Sequence, residues 1–240
     1  HILKPEAGET KISMRHVKVL LSMGVPMGLQ YSITAIGSVI LQAAVNGLGA
    51  VTVAAVTAGS KISSFCVAVT DALGATMATY CGQNVGAGKL DRVREGVKVA
   101  TIIGIIYSVI VFVFMIFIGG ELPKLFIDAS KTDVIEKARI FLLWNSGFYF
   151  ALIFVNVWRN SIQGMGFPMF AILSGVCEMF ARGIVGFAGV KYFGFVAACM
   201  GSPLAWIIAD MFLIPGFLYC LKKLGKVFGE KQTREEFQYE

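Results

Sequence analysis

The stretch VLLSMGVPMGLQYSITAIGSVILQAAVNGLGAVTVAAVTAGS, residues 19–60, decides the fold because it contains no charged residue. As one continuous helix it would be about 63 Å long at about 1.5 Å per residue, roughly twice the thickness of a bilayer core. It must therefore fold back on itself, and the Asn-Gly dipeptide at 46–47 marks the turn. The stretch predicts two membrane-spanning helices, over 21–45 and 51–80.

The rest of the chain has a similar composition. Of the 240 residues, 56% are hydrophobic and only 15% are charged, and the mean hydropathy is +0.73. These values exclude an ordinary soluble domain and are typical of a membrane protein. Apolar runs predict four further spanning helices, over 98–118, 140–163, 168–189 and 194–220. We therefore expect an all-α polytopic membrane protein with six transmembrane helices.

The distribution of charge divides the chain into three parts. A polar N-terminal segment, 1–18, precedes the apolar region, 19–221, and a basic tail covers 222–240. With the N-terminus inside, most of the 21 basic residues lie in cytoplasmic segments, so the positive-inside rule places both termini in the cytoplasm. We expect a multi-pass protein of the plasma (inner) membrane, surrounded by lipid. The net charge of +6 has the same explanation and indicates no nucleic-acid partner.

Motifs of other functional classes are absent from the sequence or do not fit their patterns. The five cysteines lie in or beside apolar runs, which favours packing roles over disulfides or metal ligands. The GAGKL segment at 86–90 lacks the spacing and the final Ser or Thr of a phosphate-binding loop. There is no Gly-x-Ser-x-Gly, no CxxC and no intramembrane His pair. We therefore expect neither an enzyme nor a bound metal or organic cofactor.

Charged residues deep inside the predicted helices are the candidate functional residues. Each costs about 2.5–3.5 kcal/mol on insertion scales unless something compensates it. They are Asp71, Glu178, Asp210, Lys61, Arg182 and Arg159. Glu178 and Arg182 are four residues apart on one helix, so they share a face and can form an ion pair. Arg159 lies near the inner end of its helix, and we expect it to extend to the membrane surface.

The depth of the acidic residues suggests a common site. By helical rise, Asp71, Glu178 and Asp210 each lie about 14–16 Å from the inner boundary, near the midplane. Lys61 lies about 15 Å further out than Asp71, so these two residues cannot pair directly. We hypothesise that the three carboxylates border an inward polar cavity, where they take up H⁺ or a cation.

Several segments together resemble the C-terminal lobe of the multidrug and toxic compound extrusion (MATE) family, over roughly residues 20–221. They are GVPMGLQYSITAIGS (24–38), AVNGLGAVTVAAVTAGSKI (44–62), YCGQNVGAGKLDRVREG (80–96), WRNSIQGMG (158–166), LSGVCEMFAR (173–182) and SPLAWI (202–207). The resemblance implies a twelve-helix secondary transporter made of two six-helix lobes around a cleft. This chain would be the second lobe, and the N-terminal lobe, from the same gene or a second copy, would be its partner.

The resemblance also implies an activity. It indicates export of organic cations or other amphipathic small molecules by rocking alternating access, coupled to influx of H⁺ or Na⁺. The family's Gln-Asn-x-Gly element matches at Gln83, Asn84 and Gly86, where it implies a capping or hinge role. The sodium-coupled branch places carboxylates on the first and fourth helices of this lobe, and here the predicted helices 21–45 and 140–163 contain none.

Two alternatives stay open at the level of the sequence. The first is a lipid-linked oligosaccharide flippase of the same superfamily, which would favour a strongly cationic cleft for pyrophosphate. The three acids and three bases inside the predicted helices do not provide one. The second is a non-transporting membrane subunit that serves assembly, for which only the missing lobe argues.

Overall fold

The structure is a computed structural model that describes the backbone of residues 13–236 and the side chains of residues 13–228. Within this range all regular structure is helical, which confirms the predicted all-α class. The α-helices are α1 (Met14–Asn46), α2 (Ala50–Gly86), α3 (Leu90–Ile118), α4 (Thr132–Gly147), α5 (Tyr149–Gly164), α6 (Pro168–Ile184), α7 (Val190–Phe193) and α8 (Phe195–Glu236), and a short 3₁₀ helix covers Leu122–Leu125. A π-helical turn, Val185–Gly189, joins α6 to α7. Most of the predicted N-terminal segment, 1–18, lies outside the described residues.

Five helical segments are long and apolar enough to cross a membrane: α1, α2, α3, α6 with its continuation through α7, and α8. The pair α4 and α5 makes a sixth if it is taken as one bent span. Large apolar side chains on these helices point outward, and Leu20, Ile103 and Phe117 are each more than half exposed. Exposed apolar side chains of this size are suited to contact with lipid.

The fourth predicted span, 140–163, is not one straight helix. α4 already begins at Thr132, and the chain bends by 48° where α4 gives way to α5 at Phe148. The preceding Asn-Ser-Gly tripeptide, 145–147, has low helix propensity, which explains why the helix breaks here. Hydropathy does not register such a break, because the residues on both sides of it are apolar.

A hydrogen bond ties this bend to α8. Pro203 has no N–H, so it leaves the carbonyl of Cys199, four residues earlier in α8, without its helical donor. The Nδ2 of Asn145 donates to that carbonyl at 3.4 Å and to the carbonyl of Phe141 at 3.0 Å. The Asn145 side chain, just before the bend, therefore satisfies a backbone group that the proline frees, as a membrane interior requires.

α2 and α8 run past their predicted ends at 80 and 220. α2 continues to Gly86 and α8 to Glu236. The added turns of α8 are rich in lysine and glutamate, which are good helix formers. A hydropathy criterion ends a helix at the membrane surface even where the backbone continues beyond it.

Helix packing shields α5 from the lipid. α5 contacts α2, α3 and α8, and most of its side chains are buried. α1 packs mainly against α6, where a Cβ at Gly37 would lie 2.9 Å from the Cα of Met179. Polar residues on α5 are therefore held inside the lobe, where they can only pair with one another or with neighbouring helices.

Candidate functional site

Buried charges on α5 and α6 form one ionic network. Arg159 donates from Nη2 to Oε1 of Glu178 and from Nε to Oγ of Ser174, the latter at 3.0 Å. The other carboxylate oxygen of Glu178 lies 3.1 Å from Nη2 of Arg182. Glu178 is only 2% exposed, so it bridges two guanidinium groups inside the lobe. The predicted ion pair between Glu178 and Arg182 is thus confirmed.

The prediction that Arg159 extends to the membrane surface is wrong. Its side chain is 7% exposed and points inward, to Glu178 and Ser174. An ion pair and a hydrogen bond offset the desolvation of the guanidinium group, which removes the need to reach water. The position of a residue along a helix gives its depth in the membrane but not the face of the helix on which it lies. That face decides whether a charged side chain extends to the membrane surface or pairs inside the lobe.

Asp210 on α8 brings another carboxylate to this network. Its charged neighbours are Arg159 and Glu178, and it is 9% exposed. Its Oδ1 is buried and has no hydrogen-bond partner among the described residues. The Nε and Nη1 atoms of Arg182 are likewise without a partner in the described part of the chain. Unsatisfied buried polar atoms are costly and uncommon, so these are the atoms of the network that would gain most from a further partner.

Asp71 on α2 joins the network through Asn156. The Nδ2 of Asn156 donates to Oδ1 of Asp71 and to Oγ1 of Thr70, both at 2.9 Å. Asn156 and Arg159 are three residues apart on α5 and so share a face. Arg159 is a charged neighbour of Asp71 as well as of Asp210. One guanidinium group is therefore common to all three carboxylates.

A close approach of α2 to α5 makes this contact possible. A Cβ at Gly74, three residues after Asp71, would lie 2.6 Å from Nδ2 of Asn160 and 3.0 Å from the carbonyl oxygen of Asn156. A side chain at this position would push the two helices apart. Glycine at position 74 is therefore what brings Asp71 within reach of Asn156.

A polar cavity of about 430 Å³ lies beside Asp71. Its lining includes Ser38, Ser60, Ser63, Ser64, Asp71, Asn145, Tyr149, Ser202 and Trp206. Along α2 the cavity extends from Asp71 toward the start of the helix, away from the basic α2–α3 connection. Glu178 and Asp210 are not part of its lining. This arrangement differs from the expected inward cavity bordered by all three carboxylates.

Lys61 lies apart from the network. It is exposed on α2, and it forms none of the ion pairs found among the described residues. It precedes Asp71 by ten residues, about 15 Å of helix, as expected. The structure therefore brings five of the six candidate charges together and leaves Lys61 at the surface of the lobe.

The Gln83, Asn84 and Gly86 element forms the end of α2. The carbonyl of Asn84 accepts a hydrogen bond from the backbone N–H of Lys89 at 2.8 Å. The residue with a left-handed backbone is Gly88, with φ of +70°, and not Gly86. The element thus terminates the helix as expected of a cap, while its role as a hinge stays a prediction.

Sequence reasoning overlooked the uncharged members of the network, Asn156 and Ser174. A signal for the first was present in the sequence. Asn156, Arg159 and Asn160 occur at three- and four-residue spacing in an otherwise apolar helix, which puts them on one face. Polar residues at that spacing indicate a buried polar stripe even where no acid is present.

Comparisons with known proteins agree with this fold. The sequence profile of the MatE family matches residues 26–187. A MATE crystal structure in a straight conformation has a TM-score of 0.74 and 20% identity, and the match covers 82% of this chain and 44% of that one. An outward-facing multidrug resistance MATE transporter of the MOP superfamily has a TM-score of 0.72 and 20% identity, and the match covers 82% of this chain and 44% of that one. A MOP superfamily transporter from Pyrococcus furiosus also has a TM-score of 0.72 and 20% identity, and the match covers 82% of this chain and 43% of that one.

A curated relative is the FAD transporter of Shewanella oneidensis. It is 21% identical over 154 residues, which are 64% of this chain and 34% of the relative. The matched part of the chain thus covers less than half the length of each of these similar proteins. The profile match covers more than half of the chain, and the fold agrees with it. The chain therefore belongs to the MatE family, whose members are membrane transporters and not enzymes.

Proposed function

We propose that this chain is the C-terminal lobe of a secondary antiporter that exports organic cations or other amphipathic small molecules. Influx of H⁺ or Na⁺ would drive the export by rocking alternating access. A second six-helix lobe, from the same gene or a second copy, would complete the transport path. We place the protein in the plasma (inner) membrane with both termini in the cytoplasm, because the basic residues favour that orientation.

The observation that supports ion coupling is the imbalance of charge around Arg159. Three carboxylates, Asp71, Glu178 and Asp210, share two guanidinium groups, so one negative charge is unmatched when all five groups are ionised. An unmatched charge inside a membrane is costly. Binding of one proton or one monovalent cation would remove it. A site that alternates between these two charge states has the property required for coupling.

Asp71 and Asp210 would have different roles in binding the coupling ion. Asp71 is exposed and lines the cavity, so it is accessible to an incoming ion. Asp210 is buried and its Oδ1 lacks a hydrogen-bond partner among the described residues, so protonation would relieve the less stable of the two carboxylates. Both have Arg159 as a charged neighbour, through which a change at one affects the other.

The cavity beside Asp71 supports a cationic or amphipathic substrate. Tyr149 and Trp206 form part of its lining, with ring centroids 6.0 Å apart. Aromatic rings together with a carboxylate recognise organic cations. A volume of about 430 Å³ accommodates part of such a molecule, and we expect the second lobe to supply the remaining contacts.

A second candidate function is transport of an anionic flavin nucleotide. The similarity to the FAD transporter favours it, as does Lys61, an exposed cation on α2 that has no ion-pair partner in the described range. Export of a lipid-linked pyrophosphate fits less well, because Arg159 and Arg182 are already engaged with Glu178. An assembly subunit would carry no substrate at all.

Transport by the full-length protein that contains this lobe tests the proposal. The protein would be reconstituted in liposomes with an imposed pH or sodium gradient, and ethidium or FAD would be supplied as cargo. We expect ethidium movement that depends on one gradient, is abolished by Asp71→Asn, and survives Glu95→Gln at an exposed acid on α3.

Three outcomes contradict the proposal. Gradient-driven movement of FAD without ethidium would establish the flavin alternative. If Asp71→Asn, Glu178→Gln and Asp210→Asn each transported as well as the wild type, the carboxylates would have no part in the coupling mechanism. Well-folded protein that moves neither cargo under either gradient would favour a flippase or an assembly role.

A further inference from the structure

A second cavity, of about 670 Å³, lies between α3, α5 and α8 at the end of the lobe that carries the basic α2–α3 connection. It is separate from the network around Arg159. Its floor is formed by Val97, Thr101, Trp158, Phe217 and Leu221. Three basic residues, Arg94, Lys98 and Lys222, stand around its rim. We call this feature the basic groove.

The floor of the basic groove is mainly apolar, and its polar groups are hydrogen-bonded to each other. The ring of Trp158 packs edge-on against Phe217, with ring centroids 4.9 Å apart. The Nε1 of Trp158 donates to Oγ1 of Thr101 at 3.2 Å, and that hydroxyl donates to the carbonyl of Val97 at 2.7 Å. The polar atoms of the floor are therefore already engaged with one another. What the floor offers to a ligand is hydrocarbon and aromatic surface.

The rim concentrates positive charge that is not paired within the described part of the chain. Arg94 and Lys98 are four residues apart on α3 and so project from one face of the helix, and Lys222 approaches from α8. All three side chains are exposed. None of them forms an ion pair with another described residue. Three like charges around one opening repel each other, so an anion bound between them would be stabilised.

The position of the basic groove on the lobe indicates where its ligand comes from. Ile102 lies on its edge, and Ile103 and Ile106 continue the exposed apolar surface of α3 toward the middle of the membrane. Arg94 and Lys98 lie in the opposite direction, toward the polar start of the helix. The groove therefore crosses the boundary between hydrocarbon and headgroups, with its apolar part on the hydrocarbon side.

We infer that the basic groove binds an anionic glycerophospholipid. Its phosphate would lie between Arg94, Lys98 and Lys222, and an acyl chain would lie along Trp158 and Phe217. Basic pockets between transmembrane helices are suited to such headgroups. A free phosphate would leave the apolar floor unused, and a zwitterionic lipid brings no net negative charge. The inference depends on membrane insertion alone and not on the proposed transport activity.

The test compares lipid-induced stabilisation of the full-length protein in detergent. Phosphatidylglycerol, phosphatidylcholine or inorganic phosphate would be added, and the unfolding temperature would be measured. The groove variant is Arg94→Gln with Lys98→Gln and Lys222→Gln. The control variant removes the same charge from exposed positions that do not line the groove, with Lys89→Gln, Arg92→Gln and Lys226→Gln.

We expect phosphatidylglycerol to raise the unfolding temperature of the wild type and of the control variant by similar amounts. The shift should fall below half of that value in the groove variant. Phosphatidylcholine should have the same small effect on all three proteins. Unfolding temperatures without lipid should be alike, since the substituted side chains are exposed.

Other results overturn the inference. Equal loss of the shift in the groove and control variants would show a general effect of surface charge. An equal shift with inorganic phosphate, lost in the groove variant, would show a small-anion site. Ile102→Trp narrows the apolar part and keeps all three cations. If it left retention of phosphatidylglycerol in native mass spectrometry unchanged, the acyl-chain contact would be wrong.

Discussion

Replacing Arg159 with glutamine should destabilise the lobe by about 3 kcal/mol. The substitution removes one of the two guanidinium groups that hold the buried carboxylate of Glu178. Loss of one partner from a buried ion pair costs about 3–5 kcal/mol. The lower end of this range applies, because Arg182 still lies 3.1 Å from the other oxygen of Glu178.

The sign of the effect at Asp210 makes this prediction specific. In the wild type, the negative charges of the network exceed the positive charges by one, and Arg159→Gln raises that excess to two. Adding Asp210→Asn restores the excess to one and removes the carboxylate whose Oδ1 has no partner in the described range. The double variant should therefore be more stable than Arg159→Gln alone, with a coupling energy of about 1–2 kcal/mol.

Denaturant unfolding of the full-length protein in detergent micelles, followed by circular dichroism, measures these differences. The matched control is Arg139→Gln. Its side chain is 43% exposed and lies 3.7 Å from Glu136, and such surface pairs contribute less than about 1 kcal/mol. Equal losses at positions 159 and 139 would refute the reasoning. So would a cost of Asp210→Asn that is the same with and without Arg159.

Three further predictions use the same unfolding assay. Gly74→Ala should cost about 1–3 kcal/mol, because its Cβ would lie 2.6 Å from a side-chain nitrogen of α5, whereas Gly86→Ala, with nothing within 4 Å, should be near neutral. Asn145→Leu should lower the free energy of unfolding by about 1–2 kcal/mol. The loss should be smaller in a Pro203→Ala background, where the alanine N–H can donate to the Cys199 carbonyl in place of Asn145. Equal losses in both backgrounds would contradict a role for this hydrogen bond. The backbone N–H of Ser130 donates to Oδ1 of Asp128 at 2.9 Å, and this hydrogen bond holds the pKa of the Asp128 carboxyl below its usual value. The stability that this hydrogen bond contributes is present above the unfolded-state pKa and lost as the pH falls through the lower folded pKa, so an Asp128→Asn variant should lose less stability than the wild type on acidification to that range.

Hydropathy predicts the spans of this lobe because the cost of burying backbone and charge in hydrocarbon leaves few alternatives. It does not predict the bend at Phe148, since the bend exchanges one set of apolar contacts for another. The Asn-Ser-Gly tripeptide at 145–147 and Pro203 both indicate irregular backbone. Only the three-dimensional contact between Asn145 and Cys199 shows that the two irregularities compensate each other.

The candidate site was predictable where a contact is local and not where it depends on helix rotation. The ion pair between Glu178 and Arg182 follows from a spacing of four residues. The position of Arg159 does not, because nothing local indicates that α6 presents Glu178 to α5. The contact between Asp71 and Asn156 requires two helices in register, which depends on the close approach at Gly74.

α5 connects the two parts of the proposed mechanism. Its first residue, Tyr149, lines the cavity, while Asn156 and Arg159, further along the same helix, hold Asp71 and Glu178. Because α5 is one uninterrupted helix, a displacement of α5 at Arg159 on neutralisation of a carboxylate would also displace Tyr149 in the cavity wall. Coupling between ion and substrate then needs no long chain of intermediate residues. A single buried helix, bent away from α4 at its start, belongs to both sites.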